Sequence, residues 1–157
     1  MEKVNQIYNN EKYKKLLKEL EEIEKDREFC KHDLEHFLNF SRIAYIKALE
    51  AKIDVSKEII YAVGLLHDIG RVVQYKEGIE HHKASVEISN EILKDTTYTE
   101  EEKRIICNLI GSHRNLKEDK LQELIYVSDK LSRECYRCDA IKECYWEEEK
   151  KNMAIKY

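Results

Sequence analysis

The 157-residue sequence has no proline and only four glycines, Gly64, Gly70, Gly78 and Gly111. Strand-and-turn architectures need more turn punctuation than this, which leaves a helical fold. No apolar run approaches the roughly 18 residues of a membrane span, so no membrane partner is expected. Residues 1–15 lack the apolar core of a secretory signal, and the chain is expected in the cytoplasm. A basic excess is also missing. The net charge of −4 argues against a general nucleic-acid binder, although not against a local pocket for one phosphate group. In a reducing compartment the five cysteines read as thiols or metal ligands rather than disulfides.

What is present is helical periodicity. Tyr13, Leu16, Leu17, Leu20 and Ile23 form one stripe, predicting a helix over about 9–26. A second helix is expected over about 33–51, apolar on much of its circumference. Ser56 can cap a third, which carries Ile59, Ile60, Val63 and Leu66 up to the pair His67–Asp68. A fourth runs from about His82 to Lys94. Thr99 and Glu102 make a capping box before Ile105, Ile106, Leu109 and Ile110. A last helix from about Lys117 reaches Arg133. These add up to one all-α domain, a bundle of about six helices over residues 1–134. A short, charged, Cys-rich appendage over 135–157 packs on the same domain.

The informative residues are histidines and aspartates. His67–Asp68 closes an apolar helix in GLLHDIGR, and charge beside such a run must be compensated if buried. A metal ion can do this. Further candidates are His36 in HDLEHFLNF, His81 in EHHKASVEIS, His113 in LIGSHR and Asp129 in YVSDKLSR. Side chains from separate helices can converge inside a bundle to hold an ion. Imidazole and carboxylate together suit Fe, Mn, Zn, Co or Ni.

This ordered pattern, H…HD…H…H…D over roughly residues 30–133, resembles the HD-domain superfamily of metal-dependent phosphohydrolases. LLHDIGR is similar to its central motif and VSDKLS to its final aspartate motif. By resemblance, His36, rather than His32, is the first ligand. His81 is preferred to His82 because a small residue, Ser85, follows four positions later. The resemblance implies one ion held by His36, His67, Asp68 and Asp129, and a second held by Asp68, His81 and His113. With a single ion, His81 and His113 would contact substrate phosphate instead.

The implied reaction is hydrolysis of a phosphate ester or anhydride of a nucleotide or related small phosphorylated compound by metal-activated water. Asp68 and His113 belong to that machinery. Arg71, four residues after His67, is the first choice of phosphate clamp, on the same side if the helix continues. Lys130 and Arg114 are further candidates. Two other readings share the ligand pattern: a di-iron oxygenase, and a non-catalytic metal-dependent ligand sensor.

Cys135, Cys138 and Cys144 form a CxxC with a third thiol, one short of a tetrahedral structural site. Cys30, as far before His36 as Cys135 is after Asp129, is the candidate fourth ligand for a structural zinc or an iron–sulfur cluster. Cys107 in IICNLI reads as a core residue. Trp146 is expected to pack the appendage onto the domain.

Overall fold

A computed structural model describes residues 1–112 and 119–157. Among these there are eight α-helices and no strand. They are α1 (Glu2–Asn9), α2 (Glu11–Ile23), α3 (Leu34–Glu50), α4 (Lys57–Leu66), α5 (Arg71–Glu77), α6 (His81–Lys94), α7 (Glu100–Ser112) and α8 (Lys120–Leu131). Two one-turn 3-10 helices follow, at Cys135–Arg137 and Glu148–Lys150.

The expected helices are present, with two additions. The first is α1, which the pattern over 9–26 did not reveal. Asn10 is extended, and its side chain accepts hydrogen bonds from the amides of Lys12 and Tyr13, so it caps α2 and separates the two helices. The second is α5, only seven residues long and too short for a periodic signature.

The other boundaries follow from caps. Asp33 Oδ1 accepts from the His36 amide at 2.9 Å, which starts α3 and places His36 in its first turn. Ser56 caps α4. In the capping box before α7, Glu102 Oε2 accepts from the Thr99 amide at 2.7 Å and Thr99 Oγ1 from the Glu102 amide at 3.2 Å.

The core is built around α3 and α4, with Phe37, Phe40, Ile60, Leu65 and Leu66 fully buried. These two helices approach closely at Gly64, where an added Cβ would lie 1.9 Å from Ser41 Oγ. α8 covers α3, α7 covers α4, and α6 packs on both α5 and α7. The result brings the first turn of α3, the end of α4 and the last turn of α8 to a common place.

Candidate metal centre

His36, His67, Asp68 and Asp129 meet there. Each offers one ligand atom, these atoms all lie within 4.8 Å of one another, and all four residues are buried. His36 Nε2 is 3.7 Å from Asp129 Oδ1. His67 Nε2 lies 3.9 Å from that oxygen and 3.5 Å from Asp68 Oδ2. The group could hold a metal ion.

Each ring is oriented by the partner of its other nitrogen. His67 Nδ1 donates to the Gly64 carbonyl at 2.9 Å, which leaves the Nε2 lone pair aimed at the carboxylates. The Phe40 ring stacks on His67 with centroids 4.6 Å apart. His36 Nδ1 donates to Ser132 Oγ at 3.2 Å, because that hydroxyl spends its own proton on the Asp129 carbonyl at 2.8 Å. His36 Nε2 is buried with no hydrogen-bond partner. Such an atom costs free energy unless something it can ligate occupies the space. Burial, the largest influence on His36, pushes its pKa down to about 3 and keeps the imidazole neutral, the form that ligates.

His81 joins from α6. Its Nε2 is 3.2 Å from Asp68 Oδ1, and its Nδ1 donates to Gln74 Oε1 at 2.9 Å. α6 can approach because Gly70 has no side chain. A Cβ there would lie 2.4 Å from both the His81 carbonyl oxygen and the Ser85 amide nitrogen. Ser85 Oγ accepts from the Gly70 amide at 2.9 Å, which gives the small residue four positions after His81 its role in the packing.

Arg71 reaches the centre by a different route from the expected one. Helix α4 stops at Leu66, so His67 and Arg71 do not share a helical face. Instead a tight turn, with the Arg71 amide donating to the Asp68 carbonyl at 3.0 Å, starts α5 and returns the guanidinium. Its Nε then lies 3.1 Å from Asp68 Oδ1. Lys130 Nζ is 2.5 Å from Asp129 Oδ2, and Arg133 Nη2 is 3.3 Å from Asp129 Oδ1. Burial alone would raise both aspartates. For Asp68 that is outweighed by Arg71 and then His67, His32 and His81, and for Asp129 by Arg133 and Lys130. Both carboxyls therefore stay well below the usual carboxylate range. His113 and Arg114 lie outside the described residues.

Two residues of the centre, Arg133 and Glu24, were not singled out from sequence, and a third, His32, was set aside as a ligand in favour of His36. Arg133 is buried one helical turn after Asp129, and the i, i+4 spacing in SDKLSR could have flagged it. His32 is buried beside the centre, where it supports Asp68. Its Nδ1 donates to Glu24 Oε1 at 2.8 Å, and its Nε2 lies 3.6 Å from Asp68 Oδ2. Glu24 also accepts from the His32 amide at 2.7 Å and from Tyr75 Oη at 2.6 Å. No sequence signal links Glu24 to the centre.

The cysteines do not form the expected site. Among the described residues no cluster of cysteine sulfurs at metal-ligand spacing is evident; the group that meets that spacing is the His/Asp one. Cys138 lines one cavity of about 310 Å³ and Cys144 a different one of about 290 Å³, while Cys30 and Cys135 border both. The thiols are therefore divided between two spaces. Burial also pushes the Cys30 thiol up, favouring the protonated form that ligates poorly. Cys107 is half-buried against the core, with its Sγ 3.3 Å from Asn90 Oδ1. Trp146 does return the appendage to the domain, its ring 3.9 Å from the Arg133 guanidinium carbon.

Fold and site together define a helical protein with a buried imidazole–carboxylate centre of metal-binding type. The HD domain family model matches residues 33–134, and the chain belongs to that family. A second model, the dynamin GTPase effector domain, matches only residues 1–43, a stretch of two amphipathic helices and the start of α3, and carries no argument. The chain is similar to an uncharacterised protein of Clostridium beijerinckii, 47% identical over 157 residues and covering all of both chains. No solved structure matches it. No helix among the described residues is long and apolar enough to cross a membrane.

Proposed function

We propose that the protein is a metal-dependent phosphohydrolase that cleaves a phosphate ester or anhydride of a nucleotide or related small phosphorylated compound. The observation that carries this reading is the convergence of His36, His67, Asp68 and Asp129 on one buried point, with ligand atoms within 4.8 Å. Family membership supports it. Two imidazoles, of which His36 is held neutral by burial, and two ionised carboxylates fit a divalent ion of the Fe, Mn, Zn, Co or Ni type. When bound, such an ion supplies an ionised water near neutral pH and neutralises charge on a phosphoryl oxygen.

The chain's own residues do the rest. Asp68 turns Oδ1 towards His81 and Arg71 and Oδ2 towards His67 and His32, an arrangement that serves one ion or two. A second ion would take His81 and, by the family resemblance, His113. Arg71 is the proposed phosphate clamp, because a guanidinium can make two bonds to phosphoryl oxygens. Lys130 and Arg133 add to it. These three cations outnumber the two carboxylates of the centre, which suits an anionic substrate.

Elemental analysis of the purified protein, followed by hydrolysis of mono-, di- and cyclic nucleotides with manganese, iron and cobalt, tests the reading. Stoichiometric metal and metal-dependent phosphate release are expected. Bound iron with oxygen consumption and no hydrolysis would replace it with the oxygenase reading.

A further inference from the structure

We infer that the appendage selects the substrate: Trp146, with Tyr145 and Phe29, walls the cavity above the metal centre and receives a flat ring, while Arg71 and Arg133 hold the attached phosphate. This rests on the phosphohydrolase reading for the identity of the charged end, and on the cavity itself for the ring.

The cavity of about 290 Å³ is lined by two chemically distinct sets of side chains among others. Its floor contains His32, Arg71 and Arg133. These residues contact Asp68 and Asp129, so the cavity abuts the centre. Its outer wall contains Phe29, Tyr145 and Trp146. Phe29 and Tyr145 meet edge to face, with centroids 6.1 Å apart at 82°. Trp146 lies on the Arg133 guanidinium and within 5.4 Å of Lys130 Nζ. A second flat group can extend this stack, as bases do on aromatic side chains and guanidinium planes. Cations and aromatic rings in one lining complement a compound that carries both a phosphate and an aromatic ring. The volume is near the lower limit of ligand sites, roughly 300 Å³, and suits one ring with one phosphate-bearing unit.

The position of the wall gives it a specific meaning. Residues 29, 145 and 146 fall outside the span matched by the family model, whereas the metal-type group falls inside it. The ring-selecting device thus lies outside the part of the chain that the family defines, although the Clostridium beijerinckii relative aligns across it.

Trp146 is the only tryptophan, so its fluorescence reports the cavity directly. The protein is titrated, with chelator present to prevent turnover, against adenosine 5′-monophosphate and against ribose 5-phosphate. These two probes share a phosphate and differ in the ring. The expected result is quenching by the nucleotide, with a dissociation constant about tenfold or more below that of the sugar phosphate. Calorimetry on Trp146→Ala should show that preference abolished, and Trp146→Phe should restore much of it. Equal affinities for the two probes, a preference untouched in Trp146→Ala, or no binding of either probe would overturn the inference. Phosphate release by the metal-loaded protein is read separately. Hydrolysis without ring preference defeats only this inference, and ring preference without hydrolysis defeats only the phosphohydrolase reading.

Discussion

His36, His67, Asp68 and Asp129 come from helices and their immediate ends, whereas Phe29, Tyr145 and Trp146 come from segments with no α-helix. The first set is buried, and both imidazoles are fixed through Nδ1 by a carbonyl or a hydroxyl. The second set is partly open to solvent, with Tyr145 76% exposed. Ligand geometry tolerates little error, so it is placed where helix packing determines it. Recognition of a ring tolerates more, and loops positioned by a rigid scaffold are the usual place for it.

The sharpest way to break this comparison is to remove the residue at its centre. Asp68→Ala should abolish metal binding and turnover while far-UV circular dichroism stays close to wild type. Retained hydrolysis in that variant would remove the mechanism. Gly70→Ala should come next. Its Cβ would collide with the backbone of α6, at the His81 carbonyl and the Ser85 amide, where no side chain can rotate away. A loss of about 1–3 kcal/mol is expected, hence several degrees in Tm. An unchanged Tm would show that α6 is not held against Gly70.

The helix-built side of the comparison was largely legible in sequence, because its signals are local. Caps at Asp33, Ser56 and Thr99 mark where helices begin, and the histidine and aspartate motifs lie at or beside helix ends. What sequence did not reveal depends on tertiary approach. The return of Arg71 requires α4 to stop at Leu66, yet the turn that follows is made by His67, Asp68, Ile69 and Gly70, with His67 and Gly70 in ordinary right-handed backbone. Glu24 reaches His32 across the loop between α2 and α3, and Trp146 reaches Arg133 from the appendage. The four-thiol site failed for the same reason: sequence spacing fixed which cysteines are near the centre but not which cavity each would face.

A milder test concerns orientation rather than ligation. Ser132→Ala removes the acceptor of His36 Nδ1 and leaves the four metal-directed groups in place. Partners of this kind usually contribute ten- to a hundredfold in metal affinity. Metal titration should show a loss in that range with little change in Tm. A wild-type affinity would mean that packing alone orients His36.

The test furthest from the metal-directed groups is at Glu24, and it separates support of the centre from chemistry at it. Burial would raise the Glu24 carboxyl, but hydrogen bonds from His32 and Tyr75 lower it from 4.5 to about 2. A carboxyl with a depressed folded-state pKa stabilises the fold fully above its unfolded value, and that stabilisation is lost as pH falls towards the folded value. The loss should therefore run from about pH 4.5 down to about pH 2. Glu24→Gln keeps the shape but removes the charge. It should cost about 2 kcal/mol at neutral pH, within the range for hydrogen bonds to a charged group, and flatten the stability profile over that acid window. Denaturant midpoints at a series of pH values measure both. If wild type and variant lose stability in parallel on acidification, Glu24 is not the group that ties His32 to the fold, and the support of Asp68 on that side must come from Arg71 and His81.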